Sequence, residues 1–510
     1  MATSKTPSVP ARPWAGRKLA VLLVVLPAAC TVGPDFHAPA APDDARFTET
    51  PLPVQTVSAR TIGGAPQTLR TDQDIPGEWW TLFHSDRITA LVTQALQANP
   101  DLVAAQATLR EAAENQRAEQ GALFPSVGAS AQVTRQRISP FEFGGSSSST
   151  VPPFTLVNPG LNLSYTLDVF GGIRRQVEQL GAQVDYQRFE LEATYLNLTS
   201  NVVAAALTEA SLQAQIDATQ DIIRIYRQSL TVTQSRFELG GVSRSDVLQQ
   251  QANLAQALTN LPPLEKQLQQ ERNQLAVYLG TRPDRFGGPT VMLADLTLPE
   301  DLPVSVPSRL VEQRPDIQAY EALLHSATAQ VGVATANLLP QFTLTGSYGR
   351  EAPTISELFT PAGIVWSLAG AVSQPVFQGG TLLARKRSAE AALQVAAAQY
   401  SSTVNNAFQS VADALVAIQR DAETLQASLQ SAQAAEASLR VAQAQFQAGG
   451  IPYVSVLQTE QTYQSARLAL VSAQAARFTD TVALFQALGG GWWNRTDVAP
   501  TVASCCGIMP

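Results

Sequence analysis

The sequence contains a duplication that spans most of its 510 residues. Several short sequence motifs in the first half recur in the second half in the same order. In corresponding pairs they are Asn99-Pro100 and Arg314-Pro315, Gly240-Gly241 and Gly449-Gly450, and Leu279-Gly280 and Leu488-Gly489. The last two pairs share an offset of 209 residues (449 − 240 and 488 − 279). Because these motifs keep the same order and nearly the same spacing in both halves, we expect each half to fold as one structural unit.

Each half also contains a very long stretch without proline, over residues 172–240 and again over 380–449. A helix of about 67 residues, rising about 1.5 Å per residue, would be roughly 100 Å long and far exceeds the helices of compact domains. A row of apolar residues at every seventh position begins at Val177, and this spacing is typical of coiled coils. In the returning helix of the first half, Pro262-Pro263 predicts an interruption and a kink.

Four shorter segments alternate apolar and polar side chains, at about 126–138, 156–169, 341–350 and 364–375. In the second of them, Leu161 and Leu163 alternate with Asn162 and Ser164. This period of two indicates strands with one apolar face, and their length suits a membrane β-barrel. The alternative is a soluble four-stranded sheet.

Four strands are too few to enclose a channel, and an open sheet in lipid would leave its edges without hydrogen-bond partners. We therefore expect the chain to associate with copies of itself. Three copies of four strands would supply twelve strands, and geometry alone also permits four copies.

The N-terminus is typical of an export signal. Arg17 and Lys18 precede an apolar run that is too short to cross a bilayer, and small residues lead to Cys30. This arrangement resembles the lipobox of bacterial lipoproteins, in which the thiol receives a lipid, so we predict a covalent lipid on Cys30. An ordinary cleavable signal with an incidental cysteine is the alternative. Cys505 and Cys506 lie in a predicted C-terminal tail, and three cysteines cannot form a disulfide framework.

Charge and composition argue against several classes of function. The net charge is −8, and it becomes −12 once the four basic residues of the signal are removed, since 30 basic residues then face 42 acidic ones. Nucleic-acid binding depends on basic patches, so no nucleic-acid partner is expected. The three histidines are far apart and lack the spacing of metal ligands. No phosphate loop or nucleophile motif is present, so we predict neither an enzyme nor a cofactor.

Several motifs resemble those of the outer membrane factor family, the TolC-like channels, and in particular its NodT/OprM lipoprotein branch. They are Cys30-Thr31-Val32-Gly33-Pro34-Asp35-Phe36, Glu78-Trp79-Trp80-Thr81-Leu82-Phe83, Gln313-Arg314-Pro315-Asp316-Ile317, Arg236-Phe237 and Asp246-Val247-Leu248. The resemblance implies an α+β membrane protein, a homotrimer with a twelve-stranded outer-membrane β-barrel continued by a long α-helical periplasmic tunnel. It also implies a periplasmic adaptor (membrane fusion) protein and an inner-membrane RND-type transporter as partners, in contact with outer-membrane lipid.

The expected function is an outer-membrane exit duct for small molecules or drugs. A channel for type I protein secretion and a periplasmic coiled-coil structural lipoprotein are the alternatives. The predicted organisation is a signal peptide (1–29), an extended N-terminal segment (30–85), a first repeat (86–280), a linker (281–307), a second repeat (308–489) and a tail (490–510).

The family closes its tunnel near the helical turns, so the resemblance directs attention to two glycine turns, Gly240-Gly241 and Gly449-Gly450. The residues that we expect to contribute polar contacts to a closed gate are Arg244, Asp246, Tyr453, Ser455 and Gln458. Ser455 and Gln458 stand where the family often has acids, so an anionic ring would be weaker here unless Glu460 turns inward. The alternative role for Asp246 is a helix N-terminal charge that interacts with the macrodipole.

Overall fold

A computed structural model of the protein describes residues 31–40, 46–51, 53–71, 73–139, 152–288, 290–305 and 307–495. The predicted signal peptide, Cys30, Cys505 and Cys506 lie outside these ranges. The described residues form two compact units. We call the first, within Met1–His37, Ala113–Ala182 and His325–Val395, the sheet unit, and the second, within Ala38–Ala112, Gln183–Leu324 and Ala396–Pro510, the helix unit.

Helices dominate the described residues. They are α1 (Asp86–Ala98), α2 (Pro100–Gln120), α3 (Gly172–Glu238), α4 (Arg244–Tyr278), α5 (Pro307–Gln313), α6 (Pro315–Ala336), α7 (Thr381–Gln447) and α8 (Tyr453–Ala487). Helices α3 and α7 each have 67 residues, and α4 and α8 each have 35. The bounds of both pairs are offset by the same 209 residues (381 − 172 and 453 − 244). None of the helices in the described residues is long and apolar enough to cross a membrane.

Side-chain caps fix where several helices begin. The Asn99 side-chain oxygen accepts hydrogen bonds from the backbone N–H groups of Asp101 and Leu102, at 2.9 and 3.2 Å, which makes Asn99 the N-cap of α2. The Asp168 carboxylate accepts the N–H groups of Ile173 and Arg174, both at 3.0 Å, at the start of α3. Each cap satisfies donors that have no partner inside the helix.

The interruption predicted at Pro262-Pro263 is wrong, because α4 continues through both prolines from Arg244 to Tyr278. An interior proline costs about 3 kcal/mol, but apolar packing on both sides opposes a break. Leu261 and Leu264 pack against a buried cluster that contains Leu268 of α4 and two residues of α3.

The strands are β1 (Thr68–Arg70), β2 (Ser126–Gln136), β3 (Phe154–Leu167), β4 (Asp301–Pro303), β5 (Gln341–Arg350) and β6 (Ile364–Ser373). In the sheet unit, four of them form an antiparallel sheet in the order β2-β3-β5-β6. Strand β3 starts two residues before the predicted 156–169, and it ends at Leu167 because Asp168 caps the following helix. Strands β2 and β6 also end two residues before their predicted limits. The short parallel pair of β1 and β4 lies in the helix unit and was not predicted.

Residues 31–37, which we call the N-terminal strap, are tied to the sheet unit by side-chain and backbone contacts. The Val32 N–H donates to the Phe170 carbonyl oxygen at 3.1 Å, and the Phe36 ring stacks on His325 with 4.4 Å between ring centroids. Arg175 binds the Asp35 carboxylate at 2.6 Å. Most of the strap is exposed and has neither helix nor strand, in keeping with the predicted extended surface segment, and it also supplies the anionic and carbonyl partners that a buried guanidinium needs.

Arg175 is also part of a chain of charged contacts within the sheet unit. Its guanidinium contacts the Glu178 carboxylate at 2.7 Å, and His325 Nε2 lies 3.0 Å from the same carboxylate. The hydrogen bond with His325 and the contacts with Arg175 hold the pKa of Glu178 below its usual value. These contacts join the strap to the first turns of α3 and to α6.

The core of the helix unit is built around aromatic residues. Trp79 stacks on Phe485 with 5.5 Å between ring centroids, and Phe83 packs against Phe478. Residues 490–495 belong to this unit and do not form the predicted tail. The Trp492 indole N–H donates to the Gln313 carbonyl oxygen at 2.6 Å, and Arg495, whose side chain is 11% exposed, binds the buried Glu192 at 2.9 Å. A carboxylate buried in this way requires a charged partner, which the composition of the segment did not reveal.

Candidate functional site: the four-stranded sheet and the hairpin ends

The register of the sheet brings the apolar residues of all four strands onto one face. Directly opposed residues in antiparallel strands point to the same side of a sheet. The apolar rows across β2, β3, β5 and β6 are Val127-Leu163-Gly346-Leu368 and Ala129-Leu161-Tyr348-Trp366, followed on three strands by Tyr165-Leu344-Gly370 and Leu167-Phe342-Val372. Trp366 and Leu368 are 73% and 69% exposed in the single chain. An apolar face this exposed marks a surface that another apolar phase covers.

The opposite face of the same sheet is polar. Asn162, Ser347 and Ser367 lie in one row across three strands. The Ser347 and Ser367 hydroxyls are 2.8 Å apart, and the Asn162 amide donates to the Ser130 hydroxyl at 3.0 Å. The alternation predicted from the sequence is therefore present in three dimensions, with polar side chains bonded to each other across strands.

Both outer edges of the sheet are open. Within the described residues, β2 pairs only with β3 and β6 pairs only with β5, so one side of each edge strand has no ladder partner. Unpaired backbone groups are costly in an apolar environment and favour pairing with another chain. The sheet thus combines an apolar exposed face with two unsatisfied edges.

The glycine pairs end the two 67-residue helices in the same way. Gly240 and Gly449 have φ angles of +75° and +76°, a left-handed conformation that glycine adopts without steric cost. The Gly241 N–H donates to the Arg236 carbonyl oxygen at 2.8 Å, and the Gly450 N–H donates to Gln445 in the same way. This is the Schellman arrangement, which satisfies the last carbonyl groups of a helix. Each pair therefore forms a tight reversal between two helices.

Asp246 has a local role at the start of α4. Its carboxylate accepts the Ser243 backbone N–H at 2.9 Å and the Ser243 hydroxyl at 2.7 Å, while the Asp246 N–H donates back to that hydroxyl. This reciprocal capping box stabilises the first turn of the helix. Arg244, in the same turn, is exposed. The structure thus places Asp246 in the capping role and shows no contact of its carboxylate with Arg244.

Tyr453 lies at the corresponding start of α8 and is buried. Its hydroxyl is hydrogen-bonded to the Ser229 hydroxyl of α3, and its ring packs against Phe446 with 4.9 Å between ring centroids. Ser455 is half-buried and Gln458 is exposed, two and five residues further along. The structure brings Tyr453 into contact with the first-half helix of the same chain, and among the described residues its hydroxyl and ring contact Ser229 and Phe446 rather than Arg244, Asp246 or Gln458.

Two acidic groups in the helix unit have raised pKa values; the sequence named Glu460 only as an acid that could turn inward, and it did not single out Asp421. Glu460 of α8 is 3% exposed, and this burial raises its pKa to about 7. Burial, with a contribution from the charge of Glu460, raises the pKa of the nearby Tyr226 to about 12. Burial and a hydrogen bond to Asp480 raise the pKa of Asp421 to about 7. Val456 and Leu457 lie one helical turn before Glu460, and Ile418 and Leu425 lie one turn from Asp421, so a carboxyl next to apolar residues on a helix was the available signal for both.

Comparison with known proteins identifies a family for this chain. The model of the outer membrane efflux protein family matches residues 91–281 and 306–490. The antibiotic efflux pump outer membrane protein ArpC of Pseudomonas putida is 29% identical over 490 residues, which cover 95% of this chain and 97% of the relative. The pyoverdine export outer membrane protein OpmQ of Pseudomonas putida is 30% identical over 446 residues, covering 87% and 94% respectively.

A solved structure gives the same result. The outer-membrane channel OprN aligns with a TM-score of 0.81 at 27% identity, over 91% of this chain and 100% of that chain. These matches confirm the resemblance drawn from the motifs. The protein therefore belongs to the outer membrane efflux protein family, and it is an outer-membrane exit duct of the efflux type.

Proposed function

We propose that three copies of the chain close a twelve-stranded barrel by pairing β6 of each copy with β2 of the next. The observation that carries this proposal is the combination of two open edges with an exposed apolar face. The four strands alternate in direction, so β6 of one copy and β2 of the next would also run antiparallel. Closure satisfies every edge, which is the condition for a sheet to lie in lipid.

The apolar face would then contact lipid, and the polar face would line a water-filled lumen. The long helices would form a helical tunnel, to which each chain contributes two equivalent hairpins. The equal lengths of α3 and α7, and of α4 and α8, support this internal repeat. The duct has no catalytic role, and it needs no cofactor beyond a covalent lipid.

The partners in this proposal are a periplasmic adaptor protein and an inner-membrane RND-type transporter. Large apolar side chains are exposed around the glycine turns, among them Phe237, Leu239, Leu248 and Val454. Such a patch at the hairpin ends is suited to bind another protein. The relatives are named for antibiotic efflux and pyoverdine export, so the proposed cargo is a small molecule and the pump selects it.

The lipid on Cys30 is part of the same proposal. The N-terminal strap starts one residue after Cys30 and is fixed by Arg175, Phe170 and His325. A lipid at this position would add membrane affinity of about 0.8 kcal/mol per buried methylene. Mass spectrometry of the mature N-terminus tests it. We expect a diacylated or triacylated cysteine, and an unmodified thiol would contradict the lipid assignment.

The hairpin ends are the proposed site of closure, with Arg244, Ser455 and Gln458 available at the surface and Tyr453 holding the two hairpins together. Replacing Arg244, Asp246 and Tyr453 with alanine should raise single-channel conductance in planar bilayers. The same conductance in a triple variant that still assembles would show that closure lies elsewhere.

A pair of adjacent substitutions in β6 tests the barrel. Leu368→Lys places a charge on the apolar face, which costs about 2–4 kcal/mol at the centre of a bilayer. Ser367→Lys places the same charge on the polar face and serves as the matched control. We expect the first variant to be lost from outer-membrane fractions and to fail to restore drug resistance in a deletion strain. Equal assembly of both variants would contradict a lipid-facing sheet.

A further inference from the structure

The N-terminal strap covers the place where β3 passes into α3. We call residues 169–172, with the sequence Val-Phe-Gly-Gly, the first junction. The Val32 N–H donates to the Phe170 carbonyl oxygen at 3.1 Å, and a Cβ atom added to Gly171 would lie 2.4 Å from the Thr31 side chain. The strap therefore lies directly on the first junction.

The internal repeat places a second junction between β6 and α7. Residues 376–380, with the sequence Val-Phe-Gln-Gly-Gly, repeat the first junction with one inserted residue. Val376 and Phe377 are 92% and 87% exposed. In the part of the chain that the structure describes, nothing covers this junction as the strap covers the first.

An arginine blocks the path that a second strap would need. Gly33 crosses α6 at Gly332, since a Cβ atom added to Gly33 would lie 2.4 Å from the Gly332 Cα atom. Helices α2 and α6 begin 215 residues apart (315 − 100), so the counterpart of Gly332 is Arg117 of α2. An arginine side chain at this position would fill the space through which the strap backbone passes.

The charges around the two junctions also differ. At the first junction, Arg175 binds the Asp35 carboxylate at 2.6 Å and the Glu178 carboxylate at 2.7 Å. Helices α3 and α7 begin 209 residues apart (381 − 172), so the counterpart of Glu178 is Arg387. A glycine and an acid at the first junction thus correspond to two arginines at the second.

Both arginines are exposed. The ion pair at the start of α7 joins Lys386 to Glu390 at 3.2 Å, and within the described residues no ion pair includes Arg387. Arg117 forms an ion pair with Glu114 of its own helix, and both of these side chains are more than half exposed. Because the whole chain has a net charge of −8, two exposed arginines beside a bare apolar junction favour an anionic ligand.

The second junction also adjoins the apolar face of the sheet. Val372 belongs to the apolar row closest to the helices and is 64% exposed, and Val376 follows it by four residues. In the proposed barrel this row lies near the limit of the hydrocarbon layer, where aromatic and basic side chains meet lipid headgroups. Arginines suited to a phosphate therefore lie beside apolar side chains suited to an acyl chain.

We propose that the second junction and Arg387 of each copy, together with Arg117 of the next copy, bind an anionic phospholipid of the periplasm-facing leaflet. This inference rests on the proposed trimer, because pairing of β6 with β2 of the next copy brings α7 beside the α2 helix that leads into that strand. Three phospholipid sites would then alternate around the ring with the three junctions that the straps cover.

Native mass spectrometry of the full-length protein in detergent tests the site, with phosphatidylglycerol and phosphatidylethanolamine as probes. We expect the trimer to bind phosphatidylglycerol more tightly, because the ammonium group of phosphatidylethanolamine offsets its phosphate charge. Arg387→Gln should weaken phosphatidylglycerol binding by about fivefold. Arg385→Gln removes the same charge from α7 at a position about 200° around the helix, and as the matched control it should leave binding unchanged.

The same spectra separate this inference from the trimer. A trimer in which Arg387→Gln and Arg385→Gln bind phosphatidylglycerol equally, or in which the two lipids bind the unaltered protein equally, would overturn the phospholipid site and leave the trimer standing. A monomeric mass would contradict the trimer, and the site would fail with it.

Photocrosslinking in intact outer membranes identifies what covers the junction. With p-benzoylphenylalanine in place of Phe377, we expect irradiation to add the mass of one phospholipid to the chain. The same replacement of Phe237, near the end of α3, is the control and should give no phospholipid adduct. A crosslink from position 377 to a second copy or to another protein, in place of the lipid adduct, would overturn the proposal.

Discussion

From the buried carboxyl of Glu460 we can predict quantitatively how the stability of the protein depends on pH. Burial raises its pKa from 4.5 to about 7. One pKa unit corresponds to about 1.36 kcal/mol, so the shift of about 2.5 units corresponds to about 3 kcal/mol between the protonated and ionised forms. Glu460→Gln keeps the shape of the protonated side chain and cannot ionise. It should therefore remove this penalty at high pH.

The direction in which stability changes with pH follows from whether the folded or the unfolded state binds the Glu460 proton more tightly. The folded protein holds the Glu460 proton between pH 4.5 and about 7, whereas the unfolded chain releases it. Stability is therefore lost as the pH rises through this window, and the full penalty is present above about pH 7. We expect Glu460→Gln to stabilise the protein by about 3 kcal/mol at pH 8 and by less than about 1 kcal/mol at pH 5.

Thermal or denaturant unfolding of the detergent-solubilised protein at pH 5 and pH 8 provides the measurement. Glu436→Gln, on the exposed surface of α7, is the control for removing one negative charge. Asp421 also titrates with a pKa of about 7, but it is present in the wild type and in both variants and cancels in the comparison. If Glu460→Gln and Glu436→Gln give the same change at pH 8, burial does not control the ionisation of Glu460.

Three further substitutions test local contacts, each by the free energy of unfolding. Ser243→Ala removes the capping box of α4 and should cost about 1 kcal/mol; no change would show that Asp246 alone caps the helix. Gly449→Ala forces a left-handed alanine at a φ of +76° and should cost about 1–2 kcal/mol, whereas Gly450→Ala serves as its control. Arg495→Ala leaves Glu192 buried and should cost about 3–5 kcal/mol, and a cost under about 1 kcal/mol would show that water reaches that carboxylate.

The features predicted correctly from the sequence are those that repeat along the chain. The alternation of Leu161 and Leu163 with Asn162 and Ser164 placed the two faces of β3, because a strand has a fixed period of two. The spacing of the glycine pairs gave the length of the 67-residue helices, since glycine at the end of a helix adopts a conformation that other residues avoid. Family membership and the role as an outer-membrane efflux duct were confirmed by the comparisons.

The features that sequence reasoning missed depend on contacts between distant residues. Ser229 and Tyr453 are hydrogen-bonded across 224 positions, and no local pattern indicates such a partner. The hydrogen bond from the Trp492 indole N–H to the Gln313 carbonyl oxygen explains why residues 490–495 are not a tail. For Asp246 the sequence left two roles open, a gate contact and a charge at the helix N-terminus, and its carboxylate binds Ser243 three residues away, at the start of α4.

The most direct test of the account is the mass of the detergent-solubilised protein, measured by light scattering together with its circular dichroism. The open edges of β2 and β6 and the exposed apolar face predict a particle of three chains with intact β signal. A particle of one chain with the same β signal would contradict the central claim that copies of this chain close one barrel.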